Sequence, residues 1–389
     1  MNFKAENGIL TIDLEGRVDS TNAPEIQAEI DQIKGENPCE KMVLDAEKLL
    51  YISSAGLRVI LRLFKSGTPL KVTGVSTDIY EIFQATGFTD FLEVEKGYKQ
   101  LSVEGCDVIG QGAKGTVYRY NPEIVVKVYK NPDSIDIIKR ERELARKAFV
   151  LGIPTAISYD IVKVGELYGS VFELLSADSL TKIIRDNPEK TDEMVKAFAD
   201  LLRQIHETDV KPEDMPDSRI RVYEWLRQAT PFLKSEHAEK LKKMVYAIPE
   251  VMKMQHGDYH TNNVMMQDGE ILLIDMDTLS HGHPIIELAN VFVAYVGFSM
   301  ADPKVVEDFI GLPVATTHLI WSKFLPAYLG TDDPVRVQEV DDKVRLLSYL
   351  RVIRHTARRG NDTEKDRELI AKAVEGIENL IDKVDSFDF

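Results

Sequence analysis

Residues 256–264, HGDYHTNNV, set two histidines, an aspartate and two asparagines within nine positions. Two chemistries use such a set. His256, Asp258 and His260 offer nitrogen and oxygen donors to zinc, which takes four ligands in a closed site. Asp258 and Asn263 instead lie five positions apart, and Asp275 follows twelve residues later at the end of the apolar run EILLID. Phosphoryl transfer needs an acid beside the attacking hydroxyl and hard oxygen ligands for Mg²⁺. In that scheme Asp258 orients the hydroxyl and accepts its proton, while Asn263 Oδ1 and Asp275 hold the metal. Asp277 is either a further metal contact or a solvated acid. The zinc scheme lacks a fourth donor, because Cys39 and Cys106 are the only cysteines and form no cluster. It also leaves the upstream motifs unused.

Residues 107–130, DVIGQGAKGTVYRYNPEIVVKVYK, contain Gly110, Gly112 and Gly115. In dinucleotide folds a helix opens directly after such a loop. Here the alternating TVYRY predicts a strand, and IVVKVY predicts another after a turn at Asn121-Pro122. A glycine loop between two antiparallel strands is the kinase type of phosphate cover, in which backbone N–H groups approach phosphate oxygens with no Cβ in the way. Lys127 is flanked by Val125, Val126 and Val128, and burying a lysine there is costly unless it is paired. The kinase pattern pairs it with a glutamate on the next helix. Residues 134–152 predict that helix, with Glu141 the preferred partner and Glu143 the alternative. Residues 167–176 then predict a strand running into a connector. In a kinase the backbone from Glu173 to Leu175 would meet the adenine edge, with Ile109, Val117, Val125 and Phe172 around the base.

The order His256-Gly257-Asp258, Asn263, Ile274-Asp275, Gly282-His283-Pro284 and Glu287 resembles the aminoglycoside phosphotransferase and choline kinase branch of the kinase superfamily. The likeness runs over about 105–300, with Glu287 where that family more often has aspartate. It implies an α+β, protein-kinase-like bilobal domain: a small β-rich N-lobe over 105–175 and a large helical C-lobe over 176–389 that builds the acceptor pocket. It further implies ATP and Mg²⁺ as cofactors and Asp258 as the catalytic base. Gly110, Gly112, Gly115, Val117, Lys127, Glu141, Glu173 and Leu175 become ATP-binding residues, and Asn263 and Asp275 metal ligands. His256 and Gly257 become structural residues of the loop, and His260 faces the acceptor cleft. His206 reads as a packed helix-end histidine. Tyr223, Trp225 and Trp321 either pack between helices or receive a cationic acceptor by cation–π contact.

The first hundred residues differ in pattern. GILTIDLEG alternates as a half-buried strand does, KMVLDA and PLKVTGV are further strands, and helices are predicted over 20–35, 54–65 and 76–87. Gly35 is expected to stop the first helix and Gly87 the third. In the second helix, Leu57, Ile60, Leu61 and Phe64 form the inward face. Strands alternating with helices give an α/β domain, a sheet covered by helices. The phrase VLDAEKLLYISSAGLRVIL resembles the STAS family of anti-sigma-factor-antagonist type, over 1–97, with 98–104 as a linker. In that family the helix-start serine is a phosphorylation switch. Ser54 takes its place here and Gly56 that of the family's glycine, while Ser53 stands where aspartate is usual. Serine at this point is also an ordinary helix cap. A phosphate there would be tolerated by the positive helix end and would act on a docking partner. The domain offers no cluster of acids, histidines or nucleophiles, so it reads as a binding or regulatory module.

The 389 residues suggest two or three domains, and 44% hydrophobic and 29% charged residues are ordinary for globular chains. A formal net charge of −16 without a long basic run argues against nucleic acid or an anionic membrane as partner. It tolerates a cationic small molecule or a basic protein. Two cysteines, an acidic start without a signal-peptide pattern, and no apolar run near ~18 residues point to the cytoplasm. The leading expectation is an ATP- and Mg²⁺-dependent phosphotransferase acting on a hydroxyl of a small molecule, with a fused STAS module on which a regulatory protein docks. The alternatives are a protein serine kinase of a partner-switching pathway, acting on Ser54 of its own or another STAS domain, and a nucleotide-binding scaffold without catalysis.

Overall fold

The computed structural model describes residues 1–112, 114–360 and 363–389. They divide into two compact units, residues 1–104 with 161–169, and residues 105–160 with 170–389. Among the described residues no helix is long and apolar enough to cross a membrane.

The first unit is built on a five-stranded sheet ordered Phe3–Glu6, Ile9–Asp13, Lys41–Asp45, Leu70–Val75, Glu93–Lys96. The first pair is antiparallel and the others are parallel. Each parallel connection has to cross the sheet, and the helices Ala23–Glu36, Ser54–Lys65 and Thr77–Ala85 make those crossings. Alternation in the strands turns Leu10, Ile12, Met42, Leu44 and Val72 into a fully buried layer. Gly35 does not stop the first helix. It lies inside Ala23–Glu36, and Asn37 ends the helix, its backbone N–H and Nδ2 both donating to Ile33 O. The inward face of Ser54–Lys65 is turned slightly from the expected one. Leu57, Val59, Ile60 and Leu63 are buried, whereas Leu61 and Phe64 are half-buried.

The second unit begins with three antiparallel strands, Asp107–Gln111, Gly115–Arg119 and Ile124–Tyr129. The register sets Val117 opposite Lys127 and Gly115 opposite Tyr129. The helix Ile135–Val150 follows, burying Ile138, Glu141, Leu144, Ala145 and Ala148 along one stripe. The rest is helical around a core that includes Phe198, Phe292 and Phe324, all at 0% exposure. A small antiparallel sheet interrupts it. The hairpin Val264–Gln267 with Glu270–Leu273 pairs Val264 with Leu273, which brings the ends of the 256–263 loop and of the 274–278 segment side by side.

Candidate functional site

Lys127 is inward on its strand, with its side chain 16% exposed, and Glu141 faces it from the buried stripe of the following helix. Lys127 Nζ lies 2.9 Å from Glu141 Oε1 and 3.0 Å from Asp275 Oδ1. The second oxygen of Glu141 accepts from Tyr129 OH at 2.6 Å. Burial disfavours the charged form of Lys127, but the two carboxylates outweigh it and hold the ammonium charge. Glu143 points outward to Lys147. Asp275 sits in the left-handed region at φ +62°, a conformation that costs a non-glycine residue about 1–3 kcal/mol. Lys114, from the glycine loop, pairs with Asp277.

The 256–263 loop is tied down from several directions. His256 is fully buried, with Nε2 3.2 Å from Ile274 O and Nδ1 3.3 Å from the Asp258 N–H. That pairing fixes the Nε2–H tautomer. Gly257 adopts φ +87°, and a Cβ there would stand 2.5 Å from Thr278 O and 2.6 Å from Arg221 Nη1. Its N–H donates to both oxygens of Glu287, each at 2.9 Å. Glu287 is at 0% exposure. Burial pushes its carboxyl up, and the His206 ring 4.0 Å away with the Gly257 N–H brings it below its ordinary value. Asn263 Nδ2 donates to Asp258 O at 2.9 Å, and the Ile274 N–H donates to Asn263 O at 2.9 Å. These bonds leave the Asp258 side chain 45% exposed at the tip of a rigid loop.

His260 does not face an open cleft. It is 6% exposed, packs edge-on against Phe309, and sets Nε2 3.7 Å from Asp258 Oδ2. Burial pushes Asp258 up, but His260, aided by His256 and then by the positive field of Arg351, overrides this and holds the carboxyl at about 2. Asp258 is therefore a carboxylate at neutral pH. Trp225 and Trp321 are each 4% exposed, and Trp321 Nε1 donates to Asp341 at 2.9 Å, so both are packing residues. Tyr223 stacks on Tyr246.

The donor set suits an oxygen-loving cation. Glu141, Asp275 and Asp277 bring carboxylate oxygens within 4.8 Å of one another, and Asn263 Oδ1 accepts no hydrogen bond from the described residues. Hard oxygen donors in this number match Mg²⁺ better than zinc. In the connector, Glu173 is exposed and accepts from Tyr159 OH at 3.2 Å, and Leu174 N–H donates to Glu123 O. The Leu175 N–H makes no such bond among the described residues. Gly110, Gly112 and Val117 line the strand pair, where Gly112 N–H donates to Gly115 O at 2.9 Å.

In the first unit, Ser53 rather than Ser54 is the cap of Ser54–Lys65. Its Oγ accepts from Ala55 and Gly56 N–H at 3.1 and 3.5 Å. Ser54 is exposed at the first helical position. Gly56 is needed for close packing, since a Cβ would stand 2.8 Å from Val18 Cγ1 and 2.9 Å from Val18 O.

The structure brings together Lys127, Glu141 and Asp275, which the sequence had singled out, and adds Tyr129, Lys114, Arg221 and Arg351, which it had not. Tyr129 was legible: two residues beyond Lys127 in a strand, it shares its face. Lys114 lies inside the glycine loop itself, whereas Arg221 and Arg351 arrive from distant elements and had no local signal.

A lysine shared between a helix glutamate and the acid that ends a hairpin is the arrangement of kinase-type enzymes that move phosphoryl groups to hydroxyls. Comparison with known proteins agrees. Residues 106–312 match the phosphotransferase enzyme family and residues 1–101 match the STAS domain. The chain belongs to the phosphotransferase enzyme family and carries a STAS domain in front of it. BtrV of Bordetella bronchiseptica, named as a candidate anti-sigma factor antagonist, is 37% identical over 94 residues, covering 23% of this chain and 78% of BtrV. Similar solved structures include ADP-bound aminoglycoside phosphotransferase APH(2'')-Ib, with TM-score 0.48 and 14% identity over 81% of this chain and 100% of that one. Another is a thermostable mutant of APH(4)-Ia in apo form, with TM-score 0.47 and 15% identity over 72% and 94%.

Proposed function

We propose that this phosphotransferase moves the γ-phosphate of ATP to a hydroxyl of a small molecule, and that its STAS domain is a docking module for a regulatory protein. The observation that carries the reading is Lys127 held between Glu141 and Asp275 at 2.9 and 3.0 Å, in the same unit as the Asp258 loop.

In this mechanism the strand pair with Gly110, Gly112 and Gly115 covers the phosphates, and Lys127 engages the α- and β-phosphates. Val117 and the connector at Glu173 and Leu175 receive the base. Asp275 and Asn263 Oδ1, with Asp277, would hold Mg²⁺, which when bound neutralises charge on the β- and γ-phosphates. Asp258 accepts a hydrogen bond from the acceptor hydroxyl and aims its oxygen at the γ-phosphorus. The new O–P bond forms, the bond to the β–γ bridging oxygen breaks, ADP leaves, and the hydroxyl proton passes to Asp258. A carboxyl held at about 2 is a weak base, so Asp258 acts chiefly by orientation and takes the proton late, as a loose transition state allows. His256, Glu287 and Gly257 keep the loop in place.

The test is transfer of label from Mg²⁺ and γ-labelled ATP to a panel of hydroxyl compounds. Transfer to none, with no release of phosphate to water, counts against the reading. A second reading has one observation in its favour: Ser54 is exposed, and its hydroxyl makes no hydrogen bond among the described residues. It makes the enzyme a serine kinase for its own or another STAS domain. Intact mass after incubation with ATP decides, since a gain of one phosphate lost in Ser54→Ala supports that reading and no gain removes it.

A further inference from the structure

The helix Pro334–Arg358 carries Arg351, Arg354, His355 and Arg358 at i, i+3, i+4 and i+7, the spacing that lines one face. Arg351 brings that face to the catalytic loop. Its Nη1 lies 3.4 Å from Asn290 O, and Asn290 Nδ2 lies 3.5 Å from Gly257 O, one residue before Asp258. The Arg351 guanidinium stands 6.0 and 5.9 Å from the ring centroids of Trp225 and Phe298. From the helix Arg219–Ala229, Arg221 reaches the same corner and donates from Nη2 to Thr278 O at 2.7 Å.

This face carries no ion pair among the described residues. The other arginines of these two helices are paired: Arg336 with Glu339, Arg345 with Asp341, Arg219 with Asp217, and Arg227 with Glu224. Among the described residues, no carboxylate stands within ion-pair distance of Arg221, Arg351, Arg354 or Arg358. Glu224 is near enough to feel Arg354, but its two oxygens are bonded to Arg227 and Gln228. Arg354 Nε is buried with no hydrogen-bond partner. Burial and neighbouring arginines push Arg351 down to about 10 and His355 to about 4, the response of a site crowded with like charge. A chain of net charge −16 has many acids, yet those nearest Arg351 and Arg221, which are Asp258, Asp277 and Glu287, act on them through their field and not through an ion pair.

We propose that this arginine face is the acceptor side of the site, and that the acceptor is an anionic hydroxyl compound whose carboxylate or phosphate group is taken by Arg354 and Arg358 while its hydroxyl meets Asp258. The proposal rests on the phosphotransferase reading above. It reverses the cationic acceptor that the acidic composition tolerates. Guanidinium groups bind both oxyanions in paired hydrogen bonds. An amine brought beside Asp258 would instead meet the field of Arg351 and Arg221.

The full chain, saturated with Mg²⁺ and ADP, is titrated with inorganic phosphate, glycerate, glycerol and choline while thermal unfolding is followed. Phosphate or glycerate raises Tm saturably, and glycerol and choline do not. In Arg354→Gln the apparent affinity for the anion falls tenfold or more, while ADP affinity changes less than twofold. With γ-labelled ATP, label passes to glycerate or glycerol phosphate in preference to glycerol, choline and kanamycin, and the two acidic arms separate a carboxylate site from a phosphate site. Arg354→Glu weakens both acidic arms further. No saturable anion response, an equal response to choline, or loss of ADP affinity in place of anion affinity overturns the proposal. Failure of the parent reading looks different: arginine-dependent anion binding persists, but no Asp258-dependent release of phosphate from ATP is found.

Discussion

Gly257→Ala tests whether loop geometry, rather than loop composition, governs the rate. The residue sits at φ +87°, where an alanine costs about 1–2 kcal/mol. Its Cβ would stand 2.5 Å from Thr278 O, about 0.9 Å short of ordinary contact. Thr278 cannot move away cheaply. Its Oγ1 donates to His256 O and its carbonyl accepts from Arg221, each at 2.7 Å. On the other side, Glu287 holds the Gly257 N–H with charge-assisted bonds worth about 1.5–3 kcal/mol. The overlap is therefore relieved by displacing the neighbouring Asp258. A shift of about 1 Å in a reacting group costs about 100-fold, or about 2.7 kcal/mol of barrier. Steady-state ADP release should show kcat reduced about 100-fold, with nucleotide affinity within about twofold, because Lys127 and the glycine loop lie on other elements. A variant with kcat within twofold of the parent refutes the reasoning, as does a loss confined to nucleotide affinity.

Glu141→Gln leaves Lys127 with Asp275 alone and keeps an acceptor for Tyr129 OH, so ATP affinity by calorimetry should fall about tenfold and stability by roughly 1–3 kcal/mol, discounted because Lys127 is partly exposed and retains one partner. His260→Leu removes the group that lowers Asp258 most, leaving burial opposed only by the fields of His256 and Arg351, so the carboxyl rises toward its ordinary value of about 3.9. A carboxyl depressed to about 2 is ionised throughout the working range, so the acid limb of kcat/KM should move to higher pH in the variant and stay flat above about pH 5 in the parent. The same depression contributes stability above about pH 4 that is lost as pH falls toward 2. Ser53→Ala should cost about 1 kcal/mol in urea unfolding of the first unit, because it removes a helix cap, whereas Ser54→Ala should change stability by less than about 0.5 kcal/mol.

The parts legible in the sequence were those in which one segment carries the whole signal. The Ser54–Lys65 helix and the IVVKVY strand follow from periodicity, and the glycine loop declares itself by the strand that follows. The Lys127–Glu141 pair was within reach because a buried lysine demands a partner and only the next helix was near. Gly35 misled because a glycine near a helix end is compatible with helical φ, and Asn37 supplied the better stop. His260 was placed in a cleft because its spacing gives no hint of Phe309, forty-nine residues away. Arg351 lies ninety-three residues beyond Asp258 and meets it only through the packing of helices around Asn290. Charge counted over the whole chain tolerated a cationic small molecule or a basic protein. Charge placed residue by residue at the site points the other way.

The central claim is that Asp258 presents the acceptor hydroxyl to the γ-phosphate while other elements hold the nucleotide. Asp258→Asn keeps the size of the side chain and removes its charge and its capacity to take the proton. The single most direct measurement is phosphoryl transfer, or release of phosphate from ATP to water, in this variant beside its nucleotide affinity. The account predicts a rate reduced about 10³-fold or more with nucleotide affinity within about threefold. A rate within tenfold of the parent, at unchanged nucleotide affinity, contradicts it.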